Sequence, residues 1–241
     1  MYSFEKMGSR RTILVGIAIA TGVFLAYEFN ARWQDRQSGL EEQKMLDALN
    51  VEFTSIHAAL TQHLTKHMRT LESLEDLLAT IENGSSKNTA PIIDSALLEM
   101  TDLDTWDRDD STLNSLLSSD RTRILSSGNL RAKLEAWDGV IGEYWGDQEI
   151  ANRMVDETHI PYFASMNISV PVAMSESEGG QPALERSASN NADAIRRLLE
   201  DPKFHVLAAT RYRFKEHLIV EIEIAIAAAE AISAEIEKPL N

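Results

Sequence analysis

The sequence predicts an all-α protein: an N-terminal transmembrane helix followed by an elongated helical bundle, built on two long antiparallel helices with shorter helices packed beside them. Three observations carry this expectation. Thr12 to Tyr27 holds no charged residue. Apolar residues recur every three or four positions from Leu46 to Ile81, the mark of an amphipathic helix. The same period returns near the C-terminus in Leu218, Ile222, Ile226, Ala229, Ile232 and Ile236.

In chain order, residues 1–11 form an expected cytoplasmic tail and 12–29 a transmembrane helix. Thr12 to Tyr27 would be about 24 Å long as a helix, a little short of the ~30 Å hydrocarbon core. The flanks extend it: Arg10 and Arg11 can snorkel at one end, and Tyr27, Phe29 and Trp33 supply an interfacial aromatic belt at the other. A cleaved signal peptide is the competing reading, but a cut after Ala26 would place Phe24 at −3 and a cut after Ala20 would fall inside the apolar run. Retention as an anchor is therefore expected. Lys6, Arg10 and Arg11 before the span, against Arg32 and Arg36 after it, favour a cytoplasmic N-terminus.

Residues 30–241 are then the extracytoplasmic helical domain. Its first long helix is expected over about 40–82, with Leu46, Leu49, Phe53, Ile56, Leu60, Leu64, Leu71, Leu74, Leu78 and Ile81 as the apolar stripe. Consecutive steps of four at 56, 60 and 64 predict a stutter that locally unwinds the seam. Asn83 and Gly84 suit a left-handed C-cap. Shorter helices fill 92–165: one after Pro91, one with Leu130, Leu134, Trp137, Ile141 and Tyr144 on a single face, and one over 147–165. Residues 166–191, containing "SVPVAMSESEGGQP", read as a loop.

The terminal segment "LIVEIEIAIA" alternates like a strand. The wider window decides for a helix over about 202–238, because Glu216, Glu223, Glu230 and Glu237 recur every seventh residue opposite the apolar stripe. Asp201 stands where an N-cap belongs, and Pro202 where a first-turn proline belongs. Two such stripes bury most simply against each other.

Composition narrows the function classes. The chain of 241 residues is 44% hydrophobic and 25% charged, an ordinary globular balance, with a net charge of −15. Five of the 23 basic and three of the 38 acidic residues lie in 1–36, so 37–241 carry a net −17. Such a surface repels phosphate backbones, and no nucleic-acid partner is expected. The chain has no cysteine, which removes disulfides, thiolate metal sites and a Cys nucleophile.

No phosphate loop, dinucleotide fingerprint, nucleophile elbow, H-E-x-x-H or EF-hand loop is present, so no enzyme activity and no cofactor are expected. His63 and His67, at i and i+4, are the weak candidates for a metal site, which would need a third ligand from another helix. Asp102, Asp104, Asp107, Asp109 and Asp110 cluster, but an EF-hand would place an acid or amide at 106 and glycine at 107, where Trp106 and Asp107 stand. Helix capping and a solvated turn explain the same aspartates. Trp106, Trp137 and Trp145 are expected as core anchors.

The stretch "LDTWDRDDSTLNSLLSSDRTRILSSGNLRAKLEAWDGVIGEYWGDQEIANRMVDETHIPYFA", followed by "RRLLEDPKFHVLAATRYRF", resembles a family of bacterial single-pass membrane proteins of unknown function. The resemblance implies an uncleaved anchor in the bacterial inner membrane and a helical domain in the periplasm. It carries no catalytic or binding residues. The expected role is a protein-interaction or scaffolding module that works with a protein partner or as a homo-oligomer. The alternative is an extracytoplasmic ligand-sensing bundle that signals through a partner.

Overall fold

The computed structural model describes residues 5–83, 89–103, 110–119, 121–168 and 192–238; within 5–35 the helical backbone is described, but the side chains of most residues, Arg10 and Arg11 among them, are not. Those residues form seven α-helices and no strand: α1 Glu5–Asn83, α2 Thr89–Thr101, α3 Ser111–Ser118, α4 Gly128–Met154, α5 Ile160–Ser165, α6 Ala192–Glu200 and α7 Pro202–Ile236. A 3₁₀ turn, Arg121–Ile124, leads into α4, and a π turn, Val155–His159, joins α4 to α5.

The two expected long helices are α1 and α7. They are antiparallel: His57 meets Glu230, and His67, ten residues on, meets Lys215. Helix α4 lies along both. It runs parallel to α1, with Trp137 edge-on to Phe53 and Tyr144 beside His67, and antiparallel to α7, with Asn129 at Glu235 and Ala151 at Arg211. The core of the bundle is thus three helices thick, with α2, α3, α5 and α6 packed at its ends and sides.

Helix α1 corrects the expected boundaries. It does not begin near 40: one unbroken helix runs from Glu5 to Asn83, joining the expected 12–29 and 40–82 segments without a hinge. No proline interrupts 12–83, and at Ser38–Gly39, the turn-type pair within it, the helix continues with the Ser38 hydroxyl donating to the Gln34 carbonyl at 2.8 Å. Among the residues whose burial is described, Glu42 is the first buried one on this helix, and the helical backbone before it is about 55 Å long. Tyr27, Phe29 and Trp33 are 72%, 71% and 55% exposed. Among the described residues no helix is long and apolar enough to cross a membrane, so the expected span over 12–29 gains no support from them; most side chains of that run lie outside the described set.

The stutter is also corrected. Buried positions on α1 run Leu46, Leu49, Phe53, Ile56, Leu60, His67, Thr70, Leu74 and Leu77, with a half-buried His63 between Leu60 and His67. Threes and fours alternate throughout, and the heptad never slips. Leu64, Leu71, Leu78 and Ile81 are only half-buried because the seam passes through His67, Thr70, Leu74 and Leu77 instead. On α7 the seam runs Phe204, Ala208, Arg211, Lys215, Leu218, Ile222, Ala225, Ala229, Ile232 and Ile236, which leaves Ile226 half-buried at the edge. Glu216, Glu223, Glu230 and Glu237 face solvent as expected.

Helix α4 buries Leu130, Leu134, Trp137, Ile141 and Tyr144 as the sequence predicts, then continues through Gln148 and Ala151 rather than ending near Trp145. Ser127 caps it, its hydroxyl accepting from the Leu130 amide at 3.2 Å. The π turn that follows has a local cause. Pro161 lacks the N–H that would bond Glu157 and its ring crowds that carbonyl, so the ladder widens and the Ile160 amide reaches Val155 five residues back. Asp201 caps α7 as expected, accepting from the Lys203 amide at 2.8 Å, with Pro202 in the first turn.

Two buried carboxylates on α1 hold the segment that leads into α4. Glu52 accepts from the Thr112 and Leu113 amides at 2.7 and 3.0 Å, and Glu42 accepts from the Ser126 amide. Glu52 thereby caps α3 from another helix. Asp110, the residue before α3, makes no cap bond and accepts instead from the Asn114 side chain at 2.7 Å. Glu52→Ala would orphan the buried Leu113 amide and the half-buried Thr112 amide and remove a charge-assisted bond from each. It is expected to lower stability by about 2–3 kcal/mol in urea denaturation, with Glu52→Gln recovering part of the loss.

Candidate functional site

The bundle has two apolar clusters. One joins Leu46–Leu60 of α1 to Leu218–Ile236 of α7 and to α3 and α4; the other joins Leu74 and Leu77 to Phe204–Ala208 and to α2, α5 and α6. Between them the three long helices bring polar residues to successive seam positions: His67 and Thr70 from α1, Gln148 from α4, Arg211 and Lys215 from α7. Arg211 is 0% exposed and Lys215 1%.

Lys215 Nζ lies 3.0 Å from His67 Nδ1, and His67 Nε2 lies 3.2 Å from the Tyr144 hydroxyl. With Lys215 as an ammonium, which only donates, Nδ1 accepts and the Nε2–H of a neutral His67 donates to Tyr144. Arg211 donates from Nη2 to the Asp102 carbonyl at 2.9 Å and from Nη1 to the Ala151 carbonyl at 3.4 Å. The Asp102 carboxylate pairs with Lys66 at 2.6 Å, and Thr70 donates to Glu99 at 2.6 Å. Side chains from four helices are thereby tied at one level.

His159, in the π turn, borders this layer. Its ring is fully buried, and Nδ1–H donates to the Met100 carbonyl at 2.8 Å. Burial lowers its pKa from 6.5 to about 4; the Met100 bond opposes that shift, and the Arg211 charge adds to it. The imidazole is therefore neutral near pH 7. Its Nε2, like Gln148 Oε1, has no hydrogen-bond partner among the described residues. Nearby, Tyr162 donates to Asp201 at 2.8 Å, which holds that carboxyl below the ordinary carboxylate range and, with burial, pushes the phenol up.

Among the described residues no third His or carboxylate joins His63 and His67, the weak candidates for a metal pair. The rings of His63 and His67 are 6.3 Å apart and tilted, and both nitrogens of His67 are already engaged. His57 is also spoken for, bonding Glu230 at 3.2 Å across the α1–α7 seam. Trp137 is buried against Phe53 as a core anchor. Asp102 serves Lys66 and Arg211, while Asp104, Trp106, Asp107 and Asp109 lie outside the described residues, as does most of the 166–191 loop.

Sequence reasoning missed Arg211, Lys215, Thr70 and Gln148 because it followed apolar residues only. The signal was present: each stands in phase with the apolar residues of its own helix, three or four positions from the next. Chemically the layer sets the His67 imidazole between the Lys215 amine and the Tyr144 phenol, in a place closed to bulk water. That arrangement suits specification of register between helices, because any sliding of α7 would strand its charges among apolar side chains. No protein-family model, curated protein or solved structure matches the chain.

Proposed function

We propose that the chain is a single-pass anchored helical module of the bacterial cell envelope, its N-terminus cytoplasmic and its bundle periplasmic, which binds another protein or scaffolds an assembly. The observation that carries this reading is helix α1. It joins the uncharged run from Thr12 to Tyr27 to the bundle seam in one rod and leaves Phe24, Tyr27, Phe29, Trp33 and Leu40 exposed beyond the core. Aromatic side chains at the end of an uncharged run suit a bilayer interface. Exposed Val220 and Ile224, one turn apart on α7, offer a partner an apolar strip.

The test is fractionation and topology in bacterial cells. The chain should stay with membranes through alkaline carbonate, and a reporter fused after Asn241 should be active only outside the cytoplasm. Release by carbonate, or a cytoplasmic reporter signal, overturns the anchor. Crosslinking in intact membranes should recover one specific protein or a second copy; recovery of neither overturns the interaction reading.

A ligand-sensing bundle is the second reading, favoured by the polar layer between two apolar clusters, where Gln148 Oε1 and His159 Nε2 have no partner among the described residues. Amino acids and organic acids screened against the whole chain should then raise its melting temperature. A flat screen removes that reading.

A further inference from the structure

We propose that Asp147 of α4 with His217 and Glu221 of α7 form a binding site for a divalent transition-metal ion of the zinc, cobalt and nickel class. One ligand atom from each of the three residues lies within 4.8 Å of the other two. His217 Nε2 is 2.8 Å from Asp147 Oδ2. The site is at the surface, with the His217 side chain 53% exposed and Asp147 29%.

Three features point to a cation. His217 and Glu221 are at i and i+4, so they share one face of α7, and Asp147 meets them from the neighbouring helix; a metal would link two helices that the chain already packs together. Ligand atoms around a tetrahedral ion at ~2.0–2.2 Å stand roughly 3.3–3.6 Å apart, so the 2.8 Å His217–Asp147 hydrogen bond would open and give way to metal bonds while rotation of the long Glu221 side chain closes its gap. Charge supplies the third feature. Asp147 and Glu221 bring two carboxylates together in a chain of net charge −15, and among the described residues no lysine or arginine pairs with either. A divalent ion would relieve that repulsion directly.

The donor set selects the class of ion. One imidazole nitrogen and two carboxylate oxygens, with no thiolate, suit zinc, cobalt or nickel, whereas calcium and magnesium prefer sites made of oxygen alone. Three protein ligands leave a coordination position for water.

The test uses the whole chain in detergent, stripped with chelator and titrated with CoCl₂, with visible absorption and melting temperature as readouts. One equivalent of Co²⁺ should bind, producing d–d absorption and raising the melting temperature by roughly 5 °C at saturation. Zn²⁺ should displace it. His217→Ala should abolish both signals, while Glu221→Gln and Asp147→Asn should each weaken binding by about tenfold or more. His57→Ala and His205→Ala, at other helix surfaces, should leave binding intact. Absence of stoichiometric Co²⁺ binding, or binding that survives His217→Ala, overturns the proposal. His217→Ala should keep the metal-free melting temperature near that of the parent. If it does not, Glu221→Gln decides alone, and unchanged affinity in that variant overturns the site.

Discussion

Lys215→Met is expected to lower stability by about 1–3 kcal/mol, the cost of leaving the buried acceptor it faces unmet. The side chain is buried and its ammonium donates to His67 Nδ1. Methionine fills nearly the same volume, so the loss is not a cavity effect. It comes from an orphaned polar atom: His67 Nδ1 keeps a lone pair that nothing now meets. His67→Ala should be costly for the matching reason, since it strands both the ammonium and the Tyr144 hydroxyl contact. Because the two residues share one hydrogen bond, the double variant should lose less than the sum of the singles by about 0.5–3 kcal/mol. Urea denaturation of the four proteins measures this coupling. Additive losses would show that the Lys215–His67 bond carries no energy of its own.

The second large effect is acid destabilisation through His159. An ordinary imidazole titrates near 6.5, and burial holds this one at about 4. Between those values the unfolded chain binds a proton that the folded chain refuses. Stability therefore rises with pH across the window and is lost as pH falls through it. The full difference of about 2.5 pH units corresponds to about 3 kcal/mol, lost once the pH is below 4. His159→Gln retains a donor for the Met100 carbonyl but cannot titrate. Its stability should be lower than the parent's at pH 7, where the better-fitting ring is lost, yet the slope between pH 6.5 and 4 should flatten by about that amount. Equal slopes in the two proteins would mean that His159 is protonated in the fold without penalty.

Legibility in the sequence followed the range of the interaction. The stripe Leu130, Leu134, Trp137, Ile141 and Tyr144, the Asp201 cap with Pro202, and the outward glutamates of α7 were all readable, because each depends on residues within a turn or two on the same helix. The cap of α3 was not. Asp110 stands at the expected position, but the amides of Thr112 and Leu113 bond to Glu52, about sixty residues away on α1. The candidate sites divide in the same manner. His63 and His67 have metal spacing within one helix, but only the approach of α4 and α7 commits the His67 nitrogens to Tyr144 and Lys215. Conversely, nothing in the sequence connects Asp147 to His217 and Glu221, since they meet only across the α4–α7 seam.

By itself the sequence determined that this chain is helical, where its long helices carry their apolar stripes and how several of them begin, because helix formation and capping are settled among near neighbours. Tertiary structure alone decided the register. The stutter at Ile56, Leu60 and Leu64 disappeared once His67 and Thr70 entered the seam, and they can be buried there only because Tyr144 and Lys215 arrive from other helices to bond His67 while Glu99 bonds Thr70. A polar residue is tolerated in a core when its partners are present, and those partners are a property of the packed fold, not of the segment that carries it.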